Sequence, residues 1–414
     1  MRIDLLCTGA VLSVALSGCG AANQQRSALP SDVPNGSEPV ADAVHSSNSA
    51  IRSRAASGYA VLHHFQGYPS DGSLPEGPLL DVNGTLYGTT DGGGAHYFGT
   101  VYSVTPGGTE NLVYSFGASA TDGADPLGNL TYLDGVLYGV TLIDGATGHG
   151  AVFGVTPSGS EQVLYSFAGP PDGSDPEGGL TDVNGTLYGT TFYGGMNNGA
   201  SGNGTVYSIS PAGAEQVIYS FAGGPADGSL PATKFLYVGG TFYGTTSSGG
   251  ANGGGTVFSI SPSGTEEKVI YSFPSGKHGA SANPSALIDV DGTFYGTTAG
   301  GGANGLGTVF SISPTLVESI VYSFRGQPDG ANPAAGLTDI SGTLYGVTYD
   351  GGADNKGTVF SVTPTGTEQV LHSFAGDKDG AHPGARLIDV DGTLYGTTTA
   401  AGGAESGTVF ELQP

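Results

Sequence analysis

Residues 343–362 read TLYGVTYDGGADNKGTVFSV and contain the two blocks that decide the fold. The first block is Leu-Tyr-Gly, and the second, beyond a glycine-rich segment, is Gly-Thr-Val-Phe. The first block, with Leu or Phe at its start, occurs seven times, at Tyr87, Tyr138, Tyr188, Tyr243, Tyr295, Tyr345 and Tyr395. The copies are 51, 50, 55, 52, 50 and 50 residues apart. A regular period of this length predicts a solenoid or a propeller.

Each copy has the pattern of four short strands. In the third copy the strands are predicted at 179–183, 186–191, 205–210 and 215–221. Asn184-Gly185 separates the first two, and Asn-Gly or Asp-Gly recurs at this place in four other copies. This pair is a strong hairpin signal, because a type I′ turn needs positive φ at both central positions. We therefore predict an all-β fold, a seven-bladed β-propeller with four antiparallel strands per blade.

The two ends of the repeat region predict a closed ring. Residues 59–65 match the fourth-strand motif although they precede the first full copy, and the last copy stops at Pro414 after its third strand. We expect 59–65 to complete the last blade, because this pairing removes an exposed sheet edge. An open array would need caps at both ends, and the sequence shows none.

The first 57 residues predict an export signal followed by a tether. Residues 1–18 contain an apolar stretch too short to span a membrane. They end in Leu-Ser-Gly before Cys19, which resembles the lipobox of bacterial lipoproteins. The resemblance implies cleavage before Cys19 and lipid attachment to it, and an ordinary signal peptide with an incidental cysteine is the alternative. Residues 19–57 are typical of a disordered tether, and 58–414 are predicted to form the propeller. We expect a bacterial envelope protein, lipid-anchored at the outer membrane or cell surface.

Charge restricts the partners of the repeat region. The formal net charge is −25, and residues 1–58 hold four basic and four acidic side chains. The excess therefore lies in the repeats, with 7 basic against 32 acidic residues. Such a surface repels nucleic acid and anionic headgroups. We expect no nucleic-acid partner, membrane contact through the lipid only, and a monomer. Both cysteines precede residue 20, so the repeats contain no disulfide.

The recurring blocks resemble the bacterial choice-of-anchor tandem repeat GloVer-containing family. The resemblance covers 59–414 and includes Gly-Thr-Val-Phe/Tyr in six of seven copies, while the second copy has Ala151 in place of threonine. It implies a surface protein held by an anchor and brings no assigned activity. A looser similarity to kelch propellers lies in the strand order and in the glycine pair after the second strand, although the kelch tryptophan is missing.

Strand alternation gives the propeller two different faces. Tight turns join the first to the second strand and the third to the fourth on one face. The long second-to-third loops and the links between blades lie on the other, the long-loop face, where function is expected. One register position of that face directly precedes the first-strand leucine or phenylalanine. It is occupied by Pro78, Asn129, Gly179, Lys234, Ala286, Gly336 and Arg386. In a closed ring this position lies at the mouth of the central channel.

We hypothesise a polar pocket at that mouth, able to hold a carboxylate or a sugar. Its candidate ligand-binding residues are Asn129, His149, Lys234, His278, His382 and Arg386. The alternative is that Lys234 and Arg386 only neutralise neighbouring carboxylates. Convergence of the basic and histidine side chains in one pocket would favour an enzyme, and dispersal around the rim would favour binding.

Catalytic signatures such as Gly-x-Ser-x-Gly, His-Glu-x-x-His and Cys-x-x-Cys are absent from the sequence. We therefore predict no catalytic residue, no cofactor and no metal site. The link motif Asp-Gly-x-x-Pro is interpreted as turn chemistry, with a calcium site as the alternative. The favoured function is a module that binds a glycan, a peptide or an envelope protein. The alternative is an extracytoplasmic enzyme, such as a polysaccharide lyase or hydrolase, with its site at the channel mouth.

Overall fold

The computed structural model describes residues 58–196, 202–275, 285–400 and 406–414. These residues form the predicted all-β propeller, with seven antiparallel blades. The predicted signal peptide, Cys19 and the tether lie outside the described residues. Within the described part of the chain, no helix has the length and apolar character needed to span a membrane.

Each blade contains four strands, in order from the innermost to the outermost. Blade 1 consists of Leu80–Val82, Thr85–Thr90, Thr100–Val104 and Glu110–Ser115. Blade 2 consists of Gly123–Leu133, Val136–Asp144, Ala151–Val155 and Glu161–Ser166. Blade 3 consists of Thr181–Val183, Thr186–Thr191, Thr205–Ile209 and Glu215–Ser220. Blade 4 consists of Leu236–Val238, Thr241–Gly249, Gly253–Ile260 and Lys268–Pro274.

The remaining blades repeat the pattern. Blade 5 consists of Ile288–Val290, Thr293–Thr298, Thr308–Ile312 and Glu318–Ser323. Blade 6 consists of Thr338–Ile340, Thr343–Thr348, Thr358–Val362 and Glu368–Ser373. Blade 7 consists of Ile388–Val390, Thr393–Thr398, Thr408–Leu412 and Tyr59–His64.

Short elements lie in the links and long loops. The link strand Gly228–Pro231 pairs with the second strand of blade 4. Three other link strands, Gly72–Ser73, Gly173–Ser174 and Gly330–Ala331, pair with Gly92–Gly93, Tyr193–Gly194 and Asp350–Gly351. A 3-10 turn, Asp377–Asp379, precedes the innermost strand of blade 7.

The N-terminal strand closes the ring as predicted. Tyr59–His64 pairs antiparallel with Thr408–Leu412, with Tyr59 opposite Leu412 and His64 opposite Thr408. The amide of Gln413 also donates to the carbonyl of Gly58 at 3.1 Å. The third strand of blade 7 therefore has its outer neighbour, and the ring ends without an unpaired strand edge there.

The two blocks that recur in the sequence meet across each blade. The glycine of Leu-Tyr-Gly pairs with the aromatic residue of Gly-Thr-Val-Phe/Tyr on the third strand, as Gly296 does with Phe310. A Cβ atom at Gly296 would lie 2.7 Å from Phe310 Cζ, so only glycine lets the ring cross the second strand. Phe310 is fully buried, and it packs with Leu287 and Phe273 in a core shared between blades 4 and 5.

The aspartate of each link motif fastens neighbouring blades together. Asp227 is buried, and its Oδ1 accepts from the amide of Gly228 at 2.6 Å. Its Oδ2 accepts from the amide of Ala222 at 2.6 Å and from the hydroxyl of Tyr219 at 3.0 Å. The same Tyr219 hydroxyl lies 3.3 Å from Glu267, which directly precedes the outer strand of the next blade. Because both carboxylate oxygens accept hydrogen bonds within the fold, the motif has the role expected of turn chemistry.

We call this arrangement a seam: an outer-strand tyrosine or histidine, the following link aspartate, and the outer strand of the next blade. Tyrosine–aspartate hydrogen bonds form the seams at Tyr114–Asp122, Tyr165–Asp172, Tyr219–Asp227 and Tyr322–Asp329. Histidine replaces tyrosine at His63–Asp71 and His372–Asp379.

Ring closure predicts equal costs for two matched core substitutions. Phe65, which follows the N-terminal strand, and Phe116 of blade 1 are both fully buried, and each meets the third-strand aromatic ring of the next blade at 4.9 Å. Phe65→Ala and Phe116→Ala should each lower the free energy of unfolding by about 3–5 kcal/mol. Urea unfolding of both variants checks this. A much smaller loss for Phe65→Ala than for Phe116→Ala would contradict the closed ring.

Candidate functional site

A central cavity of about 500 Å³ opens among the innermost strands. All seven residues of the register position defined in the sequence line it: Pro78, Asn129, Gly179, Lys234, Ala286, Gly336 and Arg386. Each blade contributes one such residue, which lies just before the innermost strand or, for Asn129, within it. Cavities of this size hold small-molecule ligands in many proteins.

Lys234 and Arg386 are the cations of this cavity. Lys234 Nζ donates to Thr131 Oγ1 at 3.1 Å, and Arg386 Nε donates to Thr338 Oγ1 at 3.4 Å. Burial lowers the pKa of Lys234 to about 8, with Arg386 contributing in the same direction. Burial also lowers the pKa of Arg386. Ion pairs between described residues all involve histidine, so neither cation is neutralised by a carboxylate within 4.0 Å.

Glycine occupies the register position beside each of these two long side chains. Lys234 of blade 4 reaches Thr131 of blade 2 across blade 3, where the register residue is Gly179. A Cβ atom at Gly179 would lie 2.6 Å from Asn129 Cβ, so this position has no space for a side chain. A Cβ atom at Gly336 would lie 3.1 Å from the Ala286 carbonyl oxygen and 3.5 Å from Arg386 Cδ, an ordinary contact distance. The residues of the register position that depart from the repeat thus line one cavity together.

Two glutamates line the same cavity, and the sequence reasoning missed both. Burial raises the pKa of Glu76 to about 8, with Asp91, Glu177 and Asp125 contributing. Burial raises the pKa of Glu177 to about 8 as well. At neutral pH both carboxyls are therefore largely protonated and able to donate hydrogen bonds. The sequence does contain a signal for these two residues, because both directly follow the proline of a link. Other links have an uncharged residue at that position: Leu127, Ala232, Ala334 and Gly384.

The two described histidine candidates, His149 and His382, are not among the residues that line the cavity. His382 stacks on Tyr349 at 4.7 Å, and its Nδ1 lies 3.0 Å from the Tyr349 carbonyl and 3.5 Å from Asp350. His149 packs against the link at Gly169, where an added Cβ would lie 2.8 Å from its Nε2. His278 lies outside the described residues. Of the six candidates, the structure brings together Asn129, Lys234 and Arg386.

A second variable position contributes one residue to the cavity lining and two residues that interact with Glu76. It directly follows Tyr-Gly-Thr/Val-Thr at the end of the second strand. Its residues are Asp91, Leu142, Phe192, Ser247, Ala299, Tyr349 and Thr399. Ser247 lines the cavity, and both Asp91 and Tyr349 interact electrostatically with Glu76. Seven different residues after a nearly invariant block were the available sequence signal for this position.

Comparison with models of protein families shows to which family the chain belongs. The model of the Gloeobacter/Verrucomicrobia repeat matches residues 50–200 and 196–410. The chain belongs to the Gloeobacter/Verrucomicrobia repeat family. The resemblance noted in the sequence is thereby confirmed. A search of curated proteins gives no match to this family member.

Solved structures resemble this repeat protein in fold. The extracellular domain of a putative one-component system from B. thetaiotaomicron is 10% identical with a TM-score of 0.53, and the match covers 84% of this chain and 40% of that one. A computationally designed protein is 16% identical, with coverage of 86% and 99% and a TM-score of 0.48. An oligogalacturonate lyase in complex with manganese is 11% identical, with coverage of 86% and 92% and a TM-score of 0.47. At these identities the likeness concerns the fold alone.

The cavity glutamates predict a pH dependence of stability. Folding raises the pKa of Glu76 and Glu177 from about 4.5 to about 8, so the folded state binds their protons more tightly than the unfolded state does. Their stabilising contribution is complete below about pH 4.5 and is lost as pH rises through 8. The double variant Glu76→Gln, Glu177→Gln should lose less thermal stability than the wild type between pH 6 and pH 9. Melting curves across this range check it.

The control for this experiment is Glu266→Gln, which removes an exposed carboxylate just before the outer strand of blade 4, outside the cavity lining. It should keep the pH slope of the wild type. An unchanged slope in the double glutamine variant would show that the cavity glutamates titrate alike in the folded and unfolded states.

Proposed function

We propose that this propeller is a binding module whose central cavity accepts a small ligand with a carboxylate group, a sugar acid or an oligosaccharide that ends in one. The observation that carries the proposal is the pair Lys234 and Arg386, two half-buried cations that contact threonine hydroxyls and no carboxylate among the described residues. Partly desolvated charges without a counter-ion are costly, so such a pair favours an anionic group from outside.

The other cavity groups suit a sugar better than a simple anion. The protonated carboxyls of Glu76 and Glu177 can donate to hydroxyl or carboxylate oxygens, and the Asn129 amide can both donate and accept. A polar lining of mixed donors and acceptors is what a polyhydroxylated ligand requires.

Overall charge limits the size of the anion. The repeats carry the entire net charge of −25, which repels a long polyanion that would extend beyond the cavity. A ligand with one carboxylate presents its charge only where Lys234 and Arg386 are. We therefore propose the end of a glycan chain rather than its interior as the bound part.

The same proposal includes where the module works. The Leu-Ser-Gly-Cys19 sequence supports lipid attachment at Cys19 and an envelope location, with the propeller held outside the cytoplasm by the 19–57 tether. The fold likeness to an extracellular domain agrees with this location. Cells grown with labelled palmitate, compared with a Cys19→Ala variant, test the attachment.

A second candidate function is favoured by the cavity carboxyls. Glu76 and Glu177 with a pKa of about 8, together with Lys234, have the protonation behaviour of general acids and bases that work near neutral pH. An extracytoplasmic hydrolase or lyase acting on an acidic glycan would use the same cavity.

The binding proposal predicts the effect of removing both cations. The double variant Lys234→Met, Arg386→Met should bind a uronate-terminated oligosaccharide at least about thirty-fold more weakly, because loss of a charge-assisted contact costs about 2 kcal/mol or more. Its melting temperature should not fall, because partly desolvated cations are replaced by apolar side chains of similar length. The ligand is first chosen from a panel of neutral and uronate-terminated oligosaccharides by calorimetry with the wild type.

A matched control removes the same charge elsewhere. Lys268 lies on an outer strand and Arg325 just beyond one, and both are exposed, so Lys268→Met with Arg325→Met should leave affinity within about twofold of the wild type. Equal loss in both double variants would mean that overall charge, not the cavity, governs binding. Unchanged affinity in the cavity variant would overturn the proposed site.

The enzymatic candidate makes a separate prediction. If the cavity is a hydrolase or lyase site, the ligand selected above should give new reducing ends, or absorbance from an unsaturated product, over hours with the wild type. Glu76→Gln or Glu177→Gln should then reduce product formation by about a hundredfold or more. Tight binding without any product supports the binding module.

A further inference from the structure

The seam between blade 7 and blade 1 differs from the tyrosine seams in its chemistry. At the position of Tyr114, Tyr165 or Tyr219, this seam has His63. His63 Nε2 lies 3.1 Å from Asp71 Oδ2. Glu110, from the outer strand of blade 1, completes the group. One ligand atom from each of His63, Asp71 and Glu110 lies within 4.8 Å of the others.

Tyrosine seams use the same space without a metal-ligand set. There the tyrosine hydroxyl lies between the two carboxylates, as Tyr219 does at 3.0 Å from Asp227 and 3.3 Å from Glu267. A neutral phenol acts as a hydrogen-bond donor between them. An imidazole Nε2 in this place is instead a good ligand for zinc and related ions.

The other histidine seam shows what is special about the first. His372 Nε2 lies 3.2 Å from Asp379 Oδ2, but the place of the glutamate is taken by Tyr59. The Tyr59 ring stacks on His372 at 3.8 Å, and its hydroxyl donates to the Asp379 carbonyl. Among the described residues, a histidine meets two carboxylates in this manner at His63 alone.

At this seam the Asp71 carboxylate is held in position, and Glu110 has one oxygen without a partner. Asp71 is 6% exposed, and the amides of Gly72 and Gln66 each donate to it at 2.7 Å. Such backbone bonds orient a ligating carboxylate. Glu110 Oε1 is inaccessible to solvent and has no hydrogen-bond partner. The corresponding glutamates of four tyrosine seams each have a buried oxygen of the same kind. In those seams, however, a tyrosine hydroxyl faces the carboxyl group.

We propose that His63, Asp71 and Glu110 bind a divalent transition-metal ion, with Zn²⁺ the best match to one imidazole and two carboxylates. Three protein ligands leave a fourth position for water. The ion joins the N-terminal strand, the first link and the outer strand of blade 1. The proposal departs from the sequence-based expectation of no metal site, because the three members come from separate segments that only the fold brings together.

The test takes its first variant from the other blades of this propeller. His63→Tyr converts this seam to the tyrosine form found elsewhere in the ring, so it should fold. The full chain is stripped with EDTA and dialysed against Zn²⁺ with a chromophoric chelator as competitor. The wild type should bind one equivalent that His63→Tyr binds at least about tenfold more weakly, and Zn²⁺ should raise the melting temperature of the wild type only.

Two further variants keep the result interpretable. His372→Tyr makes the same exchange at the other histidine seam and should keep the zinc site. Glu110→Gln preserves the shape of the carboxyl group and should weaken binding as His63→Tyr does, whether or not the tyrosine variant folds well. Equal zinc binding by the wild type and both site variants, or no binding by the wild type, would overturn the proposal. A wild type loaded with Co²⁺ should show visible absorption that Glu110→Gln lacks.

Discussion

The propeller depends on one contact, in which an aromatic side chain crosses a glycine on the neighbouring strand. In each blade a phenylalanine or tyrosine of the third strand lies over the glycine of Leu-Tyr-Gly on the second strand. Any Cβ at that glycine would overlap the ring, and the ring itself is among the most buried groups of the protein. The glycine leaves the space that the aromatic side chain fills, and the tyrosine beside the glycine packs against the next blade. The sequence has a regular period because each blade needs this contact once.

Because that contact uses only a few positions per copy, the ends of the strands on the long-loop face can vary. The register position before the innermost strand ranges from glycine to arginine without disturbing the sheets. Variation there produces a cavity with local positive charge in a strongly acidic domain. The seams also vary at a single position. There, an exchange of tyrosine for histidine replaces a hydroxyl donor with an imidazole nitrogen, which creates the ligand set proposed above.

The fold could be predicted from the sequence almost completely. Its period, its Asn-Gly turns and the fourth-strand match of 59–65 each depend on local residue chemistry, and all agree with the structure. The boundaries were less certain, because residues at strand ends belong equally to the links: the innermost strand of blade 3 is Thr181–Val183 rather than 179–183.

The candidate site could be predicted only in part. Asn129, Lys234 and Arg386 share a register, so ring symmetry alone brings them to one cavity. His149 and His382 lie in loops whose path depends on local packing, and both are held away from the cavity. Desolvation of Glu76 and Glu177, which raises the pKa of each, follows from burial and is invisible in a sequence.

Ring closure also determines the face of the propeller at which the N-terminal strand begins. The outer strand Tyr59–His64 runs toward the long-loop face, so its first residue, beside Gln413, lies at the face of tight turns. Any chain that precedes Gly58 therefore leaves from the face opposite the cavity mouth. The strand that completes the last blade thus also keeps the junction with the preceding segment away from the cavity mouth.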